Sequence, residues 1–339
     1  MGFPTNNLFS TTLNDDEAGR RLEAWQKLSA RVDTVEKNMP VELRDAFFEL
    51  VGYPVRAAAL ANEKILAPAK AQHAQDEIQR LTDVYNNQIA NGKWRNMMSS
   101  NPRGQVDLGI PKSLPKEISE SHSMDRSGGR KTAGFVQTNT SSGSLPRAAT
   151  PVFPGADFVE DNHCVVMEAE HASVFIPGKD AHWRKITGLG YNGEAVSVFP
   201  TLVPVRDEPQ KILGESPCLQ YKIWLQHPGD WKFIVRSLPT FSVETGQPQR
   251  YAIAVDDGPP KIVSLPASLS ETDRHWQENV LRNAALTTSV HTVAQPGLHM
   301  LKLWMVDPGI VIDTIIGDGG DGPLGYSWPP ETRNSLGDK

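Results

Sequence analysis

The stretch His299–Gly317, HMLKLWMVDPGIVIDTIIG, decides the fold. It holds two apolar runs, His299–Val306 and Ile310–Ile316, which are short, bounded by turn residues and rich in β-branched and long aliphatic side chains, as strands are. Asp307-Pro308-Gly309 between them reads as a hairpin turn, because aspartate and glycine tolerate the backbone of a tight reversal. Runs of the same kind lie upstream at Cys164–Ala169, Leu219–Leu225, Trp231–Arg236, Tyr251–Val255 and Lys261–Leu265, with Asp256-Asp257-Gly258-Pro259 as a second hairpin turn. Residues 156–330 therefore read as an antiparallel β-sandwich of the jelly-roll type.

Upstream the period is helical. Ala18, Leu22, Trp25, Leu28, Val32, Val35 and Met39 recur at steps of three and four and form one stripe that must pack on something. Asn14 or Asp15 is the expected cap, and Glu17 suits the positive end of the helix dipole. Pro40 restarts the chain, and a second helix is expected to turn Leu43, Phe47, Leu50 and Val51 inward. An alanine-rich segment continues through Ile65 and Leu66 toward Ile78, Leu81, Tyr85 and Ile89, with Asn91-Gly92 as the stop. The expectation is an antiparallel helical bundle over residues 14–104, preceded by a disordered segment 1–13. Helices come first and strands afterwards, without the alternation that a parallel sheet or an α/β barrel needs, so the class is multidomain α+β.

Between the two, residues 111–150 hold 19 Ser, Thr, Gly or Pro and a single aromatic, Phe135. That composition cannot bury enough apolar surface to offset its ordering entropy, so 105–155 reads as a flexible linker and 331–339 as a tail. The sequon Asn139-Thr140-Ser141 matters only in a secretory setting. The 339 residues carry a net charge of −6 with no long basic block, which removes the usual source of nucleic-acid affinity. No apolar stretch approaches the ~20 residues of a membrane span, and residues 1–15 show no export or lipidation signal. Two cysteines, Cys164 and Cys218, are too few for a disulfide scaffold or a zinc site of their own; pairing across facing strands stays open beside two buried free thiols.

Two sets of motifs carry a resemblance. DAFFELVGYP (Asp45–Pro54), Asn62-Glu63-Lys64, LTDVYN (Leu81–Asn86) and GKWRNMM (Gly92–Met98) resemble the helical domain of glycoside hydrolase family 115, the xylan α-1,2-glucuronidases. MEAEH (Met167–His171), Trp183 with Gly188-Leu189-Gly190, AIAVDDG (Ala252–Gly258), WQENVL (Trp276–Leu281) and LKLWMVDPG (Leu301–Gly309) resemble that family's C-terminal domain, in the family's order. The resemblance implies an enzyme that removes glucuronic or 4-O-methylglucuronic acid from xylan. It also implies an N-terminal domain and a catalytic barrel that have no counterpart in these residues, and the helical segment between Lys64 and Leu81 is shorter than the family's. The expectation is a C-terminal accessory portion, inactive alone, whether a truncated gene model, a fragment or a standalone relic. Family enzymes that act on polysaccharide are expected outside the cell.

Glu168 and Glu170 stand two apart on an expected strand and so share one face. By similarity to the Ala-Glu signature of family 6 and 35 carbohydrate-binding modules, Glu168, Glu170 and Asp313 are candidates for a structural calcium or a hydrogen-bonding cluster; solvated strand carboxylates are the competing reading, and no cofactor is required. Trp183, Tyr191, Trp276, Tyr326 and Trp328 lie in or beside expected loops and are the candidate sugar-stacking residues, with packing as the competing reading for each. Trp224 and Trp304, inside strands, read as core. Gly317–Gly322 matches GxGxxG formally, but the prolines and glycine after it leave no helix to receive a phosphate. The histidines, His163, His171, His182 and His299 among them, show no regular ligand spacing, and no serine or cysteine nucleophile motif is present.

Three functions follow: an accessory portion that braces a catalytic barrel, packs in a homodimer or lines the edge of an active site; an independent carbohydrate-binding module for xylan-like polysaccharide; and a hydrolase in its own right, which needs a carboxylate pair that no motif identifies. The partners expected are a glucuronoxylan-like polysaccharide, the missing barrel or a second copy, not nucleic acid or membrane.

Overall fold

The computed structural model describes residues 9–14, 16–99, 153–243, 246–265, 272–320 and 324–334. Most of the expected linker, with its sequon, and the last five residues lie outside the described residues. Two compact units result, one helical and one of strands, and residues 324–329 belong to the helical unit.

In the helical unit, α1 (Glu17–Asn38), α2 (Arg44–Phe47), α3 (Tyr53–Leu66) and α4 (Ala71–Asp83) follow one another through short turns. Polar contacts show that α1, α3 and α4 alternate in direction. Arg56 at the start of α3 meets Asp33 and Glu36 near the end of α1 (2.6 and 2.5 Å), while Arg21 near the start of α1 bonds Asn62 near the end of α3 (3.0 Å). Likewise Tyr53 Oη meets Thr82 Oγ1 at 3.1 Å and Lys64 Nζ donates to Gln75 Oε1 at 2.7 Å, which sets α4 against α3. Phe48, Tyr53, Leu81, Tyr85 and Ile89 make its core. Leu43, Leu50 and Val51 point outward instead of inward, with Leu50 74% exposed. For Leu50 and Val51 the cause is a wider π turn over Phe48–Gly52, which changes the phase and buries Phe48 and Gly52 in their place; Leu43 lies before it, in a 3-10 turn over Val41–Leu43. Leu28 and Val35 of the α1 stripe are also exposed.

Residues 9–13 of the segment expected to be disordered run through bends before α1, and residues 1–8 lie outside the described residues. The α1 cap is Asp16, and Glu17 is fully buried. Its carboxylate accepts the N–H of Ser10 (3.0 Å), Asn14 Nδ2 (2.8 Å) and the N–H groups of Tyr326 (3.2 Å) and Ser327 (3.0 Å). Glu17 thus ties the segment 324–329 to the start of α1.

The strand unit is a sandwich of two sheets. One contains β1 (Phe158–Val159), β3 (Val174–Ile176), β6 (Cys218–Leu225), β8 (Gln249–Val255), β9 (Lys261–Leu265) and β11 (Gly297–Met305), in the order β1-β6-β11-β8-β9 with β3 also on β6. The other contains β2 (Cys164–Glu168), β4 (His182–Thr187), β5 (Glu194–Phe199), β7 (Gly229–Ser237), β10 (Ala285–Val293) and β12 (Val311–Asp318), in the order β10-β7-β12-β5-β4 with β2 also on β12. All pairings are antiparallel except β1 with β6. Strand alternation sends Leu219, Tyr221, Ile223, Leu301 and Leu303 from one sheet and Val165, Met167, Val196, Phe233 and Val235 from the other into a shared core. Helix α5 (Pro209–Glu215) covers the outer face of the first sheet through Ile212, against Cys218, Ala252, Ala254 and Trp304. A second helix, α6 (Arg274–Arg282), starts at the side-chain cap Asp273.

Asp256–Pro259 makes the β8–β9 hairpin, but Asp307-Pro308-Gly309 is no hairpin. β11 and β12 lie in different sheets, so this turn arches across the core. The expected tail is partly held, since Thr332 N–H bonds Val166 O (3.0 Å) and Asn334 N–H bonds Asp157 O (2.9 Å). Cys164 and Cys218 are free and buried, and burial pushes both thiols up to about 12. Among the described residues no helix is long and apolar enough to cross a membrane.

Candidate functional site

The carboxylates that the sequence singled out meet on the outer face of the second sheet. Val165 and Met167 of β2 point into the core, so Glu168 points out. Thr314 of β12 pairs with Glu168 on one side and Arg236 of β7 on the other. Between Ile312 and Thr314 the pairing register slips, and both Ile312 and Ile315 reach the core. This bulge turns Asp313 and Thr314 away from the core together. Asp313 also sits where β12 changes partner, from β5 at Ile312 to β2 at Thr314.

The loop between β4 and β5 closes over it. Tyr191 N–H donates to Asp313 Oδ1 (2.9 Å), and Asn192 Nδ2 and Thr314 Oγ1 (3.1 Å) donate to the two oxygens of Glu168. Glu168 N–H bonds Glu331 Oε1 (3.0 Å), whose carboxylate also holds His171 Nδ1 at 2.9 and 3.0 Å. Arg236 Nε lies 3.3 Å from Asp313 Oδ2 without hydrogen-bond alignment, and its guanidinium rests over the Tyr191 ring, 4.8 Å from the centroid. Gly190 is required here: its φ is +87°, and a Cβ would stand 2.4 Å from both Asp313 Oδ1 and Glu194 O.

Burial dominates the electrostatics. It pushes Glu168 up to about 7, with the charges of Glu170 and Asp313 adding to the effect against the hydrogen bonds from Asn192 and Thr314. Glu170 and Asp313 are raised for the same first reason. Glu170 Oε2 and Asp313 Oδ2 are buried without a hydrogen-bond partner. A cluster of this kind favours a proton or a cation over bare negative charge. The three acids do not, however, bring one oxygen each within 4.8 Å of one another; among the described residues the trio that meets that distance is Glu160, His163 and His227.

A pH dependence follows. The folded protein holds the Glu168 proton more tightly than an unfolded chain, so this group contributes stability that is full below about pH 4.5 and is lost as pH rises through about 7. His291, lowered to about 4 chiefly by burial, has the opposite slope, losing stability as pH falls. Comparing wild type with Glu168→Gln in chelator cancels His291. In urea melts, the advantage of the wild type over the variant should fall by up to ~3 kcal/mol between about pH 5 and 8. A difference that does not change with pH would refute the assignment.

The aromatic candidates are divided between the two units, and the three of the strand unit share no ring contact. Trp183 is a core residue of β4, 5% exposed, its Nε1 donating to Pro217 O at 3.1 Å, so it offers no face to a sugar. Trp276 lies on α6, stacked on Phe241 at 4.1 Å, and no ring contact links it to Trp183 or Tyr191. Tyr326, edge-on to Phe9 at 5.1 Å, and Trp328 belong to the helical unit. Tyr191 alone joins the carboxylate cluster, and half its surface is exposed. Arg236 and Asn192 were not singled out from the sequence, and Gly190 stood only within the Gly188-Leu189-Gly190 motif, with no role at the site. The one local signal was the spacing of three between Ile312 and Ile315, which breaks strand alternation at Asp313.

Comparison with known proteins places this architecture. The model of the glycosyl hydrolase family 115 C-terminal domain matches residues 157–331, just over half the chain. The sandwich is thus the C-terminal domain of a glycosyl hydrolase. The chain belongs to glycosyl hydrolase family 115.

A solved family GH115 4-O-methyl-α-glucuronidase, BtGH115A, with specificity for decorated arabinogalactans, aligns at TM-score 0.61 and 22% identity, over 90% of this chain and 33% of that one. The present chain therefore spans about a third of that protein's length. The C-terminal family 6 carbohydrate-binding module of LamC, a laminarinase of Zobellia galactanivorans, aligns at 0.29 with 16% identity, over 46% of this chain and 98% of that one. A family 35 module from Clostridium thermocellum aligns at 0.30 with 13% identity, over 46% and 98%. No curated protein matches.

Proposed function

We propose that this chain is the accessory portion of a family 115 glycoside hydrolase and does not cleave glycosidic bonds by itself. Hydrolysis needs one carboxylic acid to protonate the leaving oxygen and a second carboxylate to attack or to activate water, both facing a space that the sugar enters. The observation that carries the reading is the burial of Glu168, Glu170 and Asp313, the first and last of them bonded by the loop at Gly190–Asn192. The intact enzyme would remove 4-O-methylglucuronic or glucuronic acid from a decorated polysaccharide, a glucuronoxylan or, as for BtGH115A, an arabinogalactan. This portion would brace its catalytic barrel, pair in a homodimer or line the edge of its active site.

Tyr191 favours a second reading, a carbohydrate-binding module, because its half-exposed ring lies beside polar groups that sugar hydroxyls could meet. Affinity electrophoresis of the chain through glucuronoxylan separates the two. The bracing role predicts unretarded migration. Retardation that Tyr191→Ala abolishes, and Trp276→Ala does not, would establish binding at the β4–β5 loop instead.

The buried, unpartnered oxygens of Glu170 and Asp313 support a calcium reading: calcium bound there would draw the acids closer than they stand and supply the positive charge that the cluster lacks, with Glu168, whose oxygens are both engaged, the weakest of the three expected ligands. Calcium at saturation should then raise the melting temperature and chelation should lower it by several degrees, roughly 5 °C. Identical melting curves in calcium and in chelator would remove calcium from the account and leave the cluster held by protons and Arg236.

A further inference from the structure

A different set of ligating side chains stands at the end of the sandwich, apart from the carboxylate cluster. Two of the reversals that carry the chain from the first sheet to the second, one between β1 and β2 and one between β6 and β7, supply them. Glu160 and His163 belong to the first and His227 to the second. Glu160 is the buried member. Its Oε2 accepts the N–H groups of Gln226 (2.5 Å) and His227 (3.2 Å), which leaves Oε1 facing both imidazoles. His227 Nδ1 lies 2.5 Å from Oε1 and His163 Nδ1 3.6 Å from it. The two rings lie 4.1 Å apart, tilted by 38°, and each histidine side chain is about half exposed (52% for His163, 55% for His227).

The backbone presents these rings at a cost. Asp161 and Cys164 exchange both main-chain hydrogen bonds (2.8 and 2.9 Å) around a two-residue turn in which Asn162 has φ +50° and His163 φ +60°. Such a turn is suited to Asn-Gly, and a histidine at its second position is strained. The turn is pinned there by Gly319 N–H on His163 O (2.8 Å), as His227 is by Trp231 Nε1 on its carbonyl (3.1 Å). Yet 3.6 Å is too long for His163 to gain a hydrogen bond from Glu160. Non-glycine residues held in the left-handed region cluster at active sites and ligand clamps. All three ligand atoms lie within 4.8 Å of one another. Ligands about 2.0–2.1 Å from a tetrahedral metal stand roughly 3.4 Å apart, so small side-chain shifts suffice.

We propose that Glu160, His163 and His227 bind a divalent transition-metal ion, zinc being the best match, which clamps the two inter-sheet reversals together. Two neutral imidazoles and one carboxylate are the donors of a zinc site with an open, solvent-facing fourth position, and imidazole donors select against calcium and magnesium. The hydrogen bonds to Oε2 orient the carboxylate as outer groups do in metal sites.

The test is titration of the tag-free full chain with Zn2+ in competition with a chromophoric chelator, with thermal melts alongside and Co2+ as a spectroscopic substitute. The variants are His163→Asn, which keeps a residue that tolerates the left-handed turn, and His227→Gln. The proposal expects one zinc per chain, a melting temperature raised by zinc, intense visible bands with cobalt, and a loss of affinity of about 100-fold or more in each variant. His182→Ala, an exposed histidine on β4, should bind as wild type does, and excess calcium should not compete. No binding at about 100 µM zinc, or binding that both histidine variants retain, would overturn the proposal.

Discussion

Gly190→Ala should lower the melting temperature of the sandwich by about 10 °C, close to 3 kcal/mol for a domain of this size. Two costs combine. Alanine in the left-handed region costs on the order of 1 kcal/mol, and here its methyl would also meet the Glu194 carbonyl and Asp313 Oδ1 at 2.4 Å. The carbonyl is main chain and cannot rotate away, so the loop must lift, and the hydrogen bond from Tyr191 N–H to Asp313 goes with it. Gly193→Ala is the control: its φ is +104°, but nothing lies within 4 Å of its Cβ position, so it should lose only about 1 kcal/mol. Equal losses in differential scanning calorimetry would mean that Gly190 serves backbone freedom alone and not the closing of the loop over Asp313.

Arg236→Met should cost about 3 kcal/mol near pH 8, because it leaves the fully buried Asp313 without its positive neighbour and strips the guanidinium from Tyr191. The loss should shrink near pH 5, where Asp313, already raised by burial, takes up a proton more readily. Adding Asp313→Asn to Arg236→Met should recover at least about half of the loss, since the unpaired charge is then gone. Additive losses in this double-mutant cycle would show that the two side chains act independently, against the ion pair that the 3.3 Å separation describes.

The sequence made the class of fold legible where a strand's buried face is aliphatic. β6, β8 and β11 place Leu, Ile, Tyr and Val at every second position toward the core, and each stands out in the sequence. β10 does not: its buried positions include Thr287, Ser289 and His291, which satisfy one another and Tyr251 through hydrogen bonds instead of offering an apolar stripe. The arch at Asp307–Gly309 was read as a hairpin because turn chemistry is local, whereas the sheet that each flanking strand joins is set by distant partners. For the same reason MEAEH and Asp313 could be named as a group, but Arg236 could not, since only the register of β12 on β7 brings it there. Glu160 and His227 are likewise joined by the parallel pairing of β1 with β6, which leaves no signal near either residue. The outward Leu50 and Val51 show the limit on the helical side, where one π turn moves the buried positions within it to Phe48 and Gly52.

The central claim is that the acids of this chain hold the sandwich together and do not cut sugar. The direct measurement is release of free 4-O-methylglucuronic acid from purified aldouronic acids by the chain alone, followed by chromatography over long incubation. The account predicts no release above a buffer control. Release by the wild type that Glu168→Gln or Asp313→Asn abolishes, while each variant keeps its fold, would contradict it and make the buried cluster a catalytic pair.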